Sequence, residues 1–187
     1  HQLDDWRAAV AFAAALPGVD NERIALWGVS LSGGHVVSLA AEDLRIAAIS
    51  ALVPMVDGLA AVGLVLKGSG LGHLLRLSLY GAIDLLRGLF GFKPLLIPVV
   101  ARPGGFAVLS TADAYDGYSA VAAEGWVNKM SARIAFTLGL YRPIAKATQI
   151  TCPVLIQACM DDVVVSPAAA VELGRRVGRL AMVRQYA

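Results

Sequence analysis

The chain has 187 residues, 57% of them apolar and 16% charged, with a net charge of +2. That length accommodates one domain with a real core, and that composition excludes a disordered or solvated tail. The basic residues are scattered and form no cluster, which argues against nucleic acid as a partner.

The mean hydropathy of +0.65 is high. Either a membrane span or a buried parallel sheet with apolar helices accounts for it. The longest uncharged run, Ile24 to Ala41, holds Gly28, Ser30, Ser32, Gly33, Gly34 and His35 near its middle, which suits a turn. Asp57, Lys67, Arg76, Asp84, Arg87 and Lys93 interrupt the other apolar stretches, so no membrane span is expected. Association of an apolar helix with a membrane surface is the more accessible alternative. The two cysteines, Cys152 and Cys159, lie seven apart, which is neither a redox nor a zinc spacing. Free thiols in a reducing, cytoplasmic compartment are expected.

Asp4 and Asp5 can open a helix whose stripe is Trp6, Ala9, Val10 and Ala13. Leu16-Pro17-Gly18 ends it. Ile24 to Trp27 is a continuous apolar run, as in a strand covered on both faces. Gly28 to Gly34 reads as a tight turn and His35 to Ala41 as a helix. Ile46 to Val53 is a second buried strand. Residues 58–147 are rich in Leu, Gly and Ala in loose helical patterns, and no period-2 strand is clear among them. A third strand follows at Pro153 to Cys159, then a helix opened by Ser166-Pro167, then a last strand at Leu180 to Tyr186. Strands alternating with helices predict a mostly parallel α/β sheet. Residues 1–57 and 148–187 then form one discontinuous core, and 58–147 a mainly helical insertion.

The strongest local signal is Gly28-Val29-Ser30-Leu31-Ser32 between a buried strand and a helix. A serine hydroxyl is a weak nucleophile until it is held beside a base. A sharp strand-to-helix turn exposes it at the carboxyl end of the sheet, and small flanking residues relieve the crowding. The following helix start aims N–H groups at developing oxyanion charge, with Leu31 N–H as one donor. The usual pentapeptide ends in glycine, and Ser32 stands there instead. A Gly/Ser turn that merely packs, or that holds a phosphate, is the competing reading. Asp161 and Asp162 follow the third predicted strand, where a carboxylate that orients a base belongs. Asp162 is the preferred acid, with Asp161 as a turn residue; a purely turn-shaping role for both stays open. No metal-ligand cluster or nucleotide-binding glycine pattern is present, so no metal or cofactor is expected.

The segments VDNERIALWGVSLSGGHVV and RIAAISALVPMVDG, with ITCPVLIQACMDDVVVSP, resemble bacterial α/β-hydrolases of the dienelactone-hydrolase and S9/S15-peptidase-like esterase group. RPGGFAVLSTADAYDGY and LYRPIAKATQI resemble the cap that some of these enzymes insert. The resemblance implies a Ser-Asp-His chain order, with Ser30 as nucleophile and Asp162 as acid. It also implies a histidine after the last strand, and a second oxyanion donor from strands ahead of the first helix. Neither lies within this sequence, so an incomplete chain, nearly inactive alone, is expected. Of the histidines present, His35 sits inside the helix leaving the turn, His73 in the cap, and His1 at the start. The implied activity is hydrolysis of an ester, thioester, lactone or similar acyl bond in a small, hydrophobic substrate. Phe106, Tyr115, Tyr118, Trp126 and Phe136 are candidate pocket residues, or simply core. C–C bond hydrolysis, peptidase action and non-catalytic binding in the same cleft are the alternatives.

Overall fold

The computed structural model describes residues 2–187. They divide into two units, residues 2–57 with 142–187 and residues 58–141. The expected insertion ran on to 147. The junction falls earlier because Ile144 and Ala147 are buried in the core of the first unit.

The first unit starts with α1 (Gln2–Ala14), which buries Val10 and rests Trp6 on the core while Ala9 faces solvent. A four-stranded parallel sheet follows, in the order β1-β2-β5-β6. Its strands are β1 (Ile24–Val29), β2 (Ile46–Leu52), β5 (Val154–Cys159) and β6 (Ala181–Tyr186). α2 (Leu31–Glu42) links β1 to β2, and α6 (Pro167–Val177) links β5 to β6. A 3₁₀ segment, Pro143–Gln149, leads into β5.

The register explains the core. Leu26, Ile49, Val154 and Ala181 lie across one another, as do Gly28, Ala51, Ile156 and Val183. These rows pack with Val36, Val37, Leu39 and Leu173 in one apolar cluster. The alternate row, Trp27-Ser50-Leu155-Met182, leaves Trp27 62% and Met182 55% exposed. Among the described residues β1 is therefore covered on one face, where a strand covered on both was expected. Successive side chains point to opposite sides of a strand, and Ala25 and Trp27 both stand on the open side. Cys152 is buried and Cys159 half-buried, and both are free thiols. Desolvation raises the Cys152 pKa.

The second unit is built on α3 (Gly58–Leu89), with α4 (Ala114–Val121) and α5 (Ala132–Thr137). α3 breaks at Gly70, whose φ of 82° and ψ of 169° are not helical. The unit also holds a short antiparallel pair, β3 (Leu96–Ile97) with β4 (Met130–Ser131). Two-residue strands are too short to show a period-2 pattern, so the sequence carries no strand signal there. Asp84, fully buried on α3, ties this unit together. It accepts hydrogen bonds from Leu95 N, Ser131 Oγ, Arg133 N and the Arg133 guanidinium. The guanidinium holds the Asp84 carboxyl far below the ordinary carboxylate range. Phe106 packs with Tyr80 beside Leu77 and Ile97, whereas Trp126 and Phe136 are partly exposed. A cavity of about 490 Å³ lies among Ser69, His73, Arg76, Gly104, Phe106 and Ser110.

Candidate active site

Ser30 is the single residue between β1 and α2. Its φ of 54° and ψ of −119° lie outside the comfortable regions for an L-residue. Such a conformation costs about 1–3 kcal/mol and persists only when its surroundings enforce it. The enforcement is visible. Ser30 N donates to Leu52 O at 3.0 Å, and Ser30 O accepts from Met55 N at 2.9 Å and Gly34 N at 3.2 Å. The turn is thereby locked to the end of β2, where Val53 also has a positive φ of 38°.

The flanking residues fit the cramped backbone. A Cβ on Gly28 would lie 2.3 Å from Ser32 O, so only glycine fits. Ser32, standing where glycine is usual, closes the turn. Its hydroxyl donates to Val29 O at 2.8 Å and accepts from Val29 N at 2.9 Å. A Cβ on Gly33 would lie 2.9 Å from Pro54 Cβ, so glycine there lets α2 start against the end of β2. The helix therefore begins at Leu31, ahead of the His35 start expected from the pattern.

Two consequences matter chemically. Ser30 makes no side-chain cap to α2, so its hydroxyl is not spent on the helix. Leu31 N–H has no acceptor among the described residues and stands at the positive end of the helix. No acidic side chain in the first turn of α2 offsets that field.

Asp162 lies beyond the carboxyl end of β5, and Ser30 beyond that of β1. β2 separates these two parallel strands, so their ends are about 10 Å apart. That gap has room for one imidazole and two hydrogen bonds of about 2.8 Å each. Asp162 Oδ1 accepts from Val164 N at 2.7 Å and Val165 N at 2.9 Å, which fixes the carboxylate. Its Oδ2 has no hydrogen-bond partner among the described residues. Asp162 lines a crevice with Val53, Pro54, Cys159 and Val165. Asp161 is exposed and makes no such contacts.

The histidines differ from one another. His35 is 6% exposed on α2 and its Nε2 lies 3.2 Å from Gln2 Oε1. Burial lowers its pKa. His73 belongs to the second unit, with Nε2 2.9 Å from Ala107 O and its ring tilted against Phe106. His1 lies outside the described residues. The pattern reading missed the supporting parts of the site: the Ser32 hydroxyl, the Met55 N–H and the strained Val53. A serine at the last position of the pentapeptide was the one available signal, since a hydroxyl there has a backbone within reach. No group of three or more His, Cys, Asp or Glu side chains among the described residues is arranged to hold a metal.

No family model matches the sequence. The quorum-quenching protein AidA of Acinetobacter baumannii (strain MDR-ZJ06) is 35% identical over 165 residues, which are 86% of this chain and 52% of that protein. The chain thus spans about half the length of the curated relatives it matches. Among solved structures, the α/β hydrolase GrgF from Penicillium sp. sh18 superposes with a TM-score of 0.73 at 21% identity, over 98% of this chain and 61% of that one. The monoacylglycerol lipase of Paleococcus ferrophilus gives 0.64 at 15% identity, over 99% and 63%.

Proposed function

We propose that this chain, whose fold is that of the α/β-hydrolases, carries the nucleophile and the orienting acid of a serine hydrolase acting on a carboxylic ester, thioester, lactone or similar acyl bond. Ser30 Oγ attacks the carbonyl carbon, and a histidine from outside this sequence accepts the hydroxyl proton. Asp162 Oδ2 holds that imidazole in the correct tautomer and stabilises its charged form. Leu31 N–H donates to the tetrahedral oxyanion, and the histidine returns the proton to the leaving group. Water then attacks the acyl-serine by the same route and frees the acid.

The observation that carries this reading is the left-handed conformation of Ser30, held at φ 54° with no capping bond to its side chain. A serine that only shaped the turn would gain nothing from that strain. Kinship with a quorum-quenching protein and the fold shared with a lipase support a small acyl substrate. The apolar second unit favours a hydrophobic one. C–C hydrolysis and peptide cleavage use the same residues and are sorted by a substrate panel. The two free cysteines fit a reducing, cytoplasmic setting.

The test is a fluorophosphonate probe applied to the complete protein. Labelling that maps to Ser30 and disappears in Ser30→Ala is the expected result. Absence of labelling in the intact protein means a cleft that binds without catalysis. Loss of a triad base lowers turnover by about 10⁶, so the 187-residue chain alone is expected to be nearly inactive.

A further inference from the structure

The solvent side of α3 is apolar. After the break at Gly70, Leu71, Leu75, Leu79, Ile83, Leu86 and Leu89 are all exposed, Leu75 by 60% and Leu89 by 81%. At about 100° per residue they fall within one third of the helix circumference. The opposite side carries Leu77, Gly81 and Asp84, all buried. Such amphipathic helices ordinarily turn their apolar stripe to the core; here that stripe faces out. A contiguous exposed apolar surface of this kind marks an interaction site.

The charges around this face identify its partner. Between residues 58 and 93 the exposed charges are Lys67, Arg76, Arg87 and Lys93, and the only acid, Asp84, is buried and paired with Arg133. Arg76 and Arg87 sit along one border of the apolar arc, and none of the four cations forms an ion pair with a described residue. Packing this face on a second copy would bring together two segments whose exposed charges are all positive. Length and composition also satisfy a membrane-spanning helix. A span is opposed by Asp84, whose five donors tie the inner side of α3 to the rest of its unit. A helix with an apolar outer face, cations along one border and an inner side tied into its own unit lies in a bilayer surface rather than through it.

We propose that α3 docks on an anionic lipid bilayer, with its leucines in the acyl boundary and Lys67, Arg76, Arg87 and Lys93 against lipid phosphates. Phe90 and Phe92, 76% and 61% exposed at the end of the helix, extend the inserted surface, and Arg87 stacks over Phe92. The docking does not depend on the reading of Ser30.

The complete protein is sedimented with vesicles of phosphatidylcholine alone and of phosphatidylcholine mixed with phosphatidylglycerol. Binding is expected to be about tenfold or more tighter on the mixed vesicles, and to weaken as salt is raised. The double variant Leu75→Gln, Leu79→Gln lowers binding about tenfold, and Ser30→Ala leaves it unchanged. In a separate variant, Leu79→Trp, the fluorescence shifts to shorter wavelength when mixed vesicles are added. Failure of the complete protein to bind, binding indifferent to the leucine variants, or an unshifted Leu79→Trp spectrum overturns the proposal. Self-association abolished by the double variant, without vesicle binding, assigns the face to a second copy instead.

Discussion

Two serines in the first unit stand immediately before a helix, and they are used in opposite ways. Ser166 has extended backbone, φ −76° and ψ 112°, and its side chain accepts from Ala169 N at 3.2 Å, with Pro167 opening α6. Ser30 has φ 54° and ψ −119° and makes no cap to α2. The first serine stabilises its helix by about 1 kcal/mol; the second forgoes that gain and adds a strain of similar or larger size. Its neighbours supply the compensation, through Leu52 O, Met55 N and the two hydrogen bonds of Ser32. Local stability is given up only where the hydroxyl is to be left unengaged.

The sharpest way to break this contrast is at the partner of the strained turn. With Ser30 as nucleophile, Asp162→Asn in the complete protein is expected to lower kcat on a short-chain ester by about 10⁴ while the fold stays intact. Asp161→Asn, in the same assay, should change little. Equal effects from the two variants would remove the distinction drawn from Val164 N and Val165 N. Next in size is Gly28→Ala, which drives a methyl group into Ser32 O. Urea unfolding should register a loss of about 1–3 kcal/mol, the usual scale for overpacking. The smallest effect compares the serines directly. Ser166→Ala should lose about 1 kcal/mol of stability with activity retained. Ser30→Ala should lose activity with no fall in stability, since no cap is removed. If Ser30→Ala destabilises as much as Ser166→Ala, the hydroxyl at position 30 is structural.

Much of the first unit was legible in the chain. Short apolar runs bounded by turn residues marked β1, β2 and β5, and Ser166-Pro167 marked the start of α6. Ser30 and Asp162 stood out because each follows such a run. The start of α2 was misplaced, because Gly33 and Gly34 are poor helix formers read alone. Gly33 is required there by the close approach of Pro54, a contact distant in sequence. In the second unit only loose helical patterns of Leu, Gly and Ala were visible, and such patterns do not say which side of a helix is covered. Only the anchoring of Asp84 by Arg133 and Ser131 turned the leucines outward.

In the first unit the chain by itself determined which segments are strands, which are helices, and where a serine and an aspartate fall among them, because burial periods and turn chemistry are local. The tertiary structure alone decided the strand order β1-β2-β5-β6, the backbone conformation of Ser30 and the outward face of α3. Each of these rests on hydrogen bonds and contacts between residues far apart in sequence, whose energies exist only once the chain has folded.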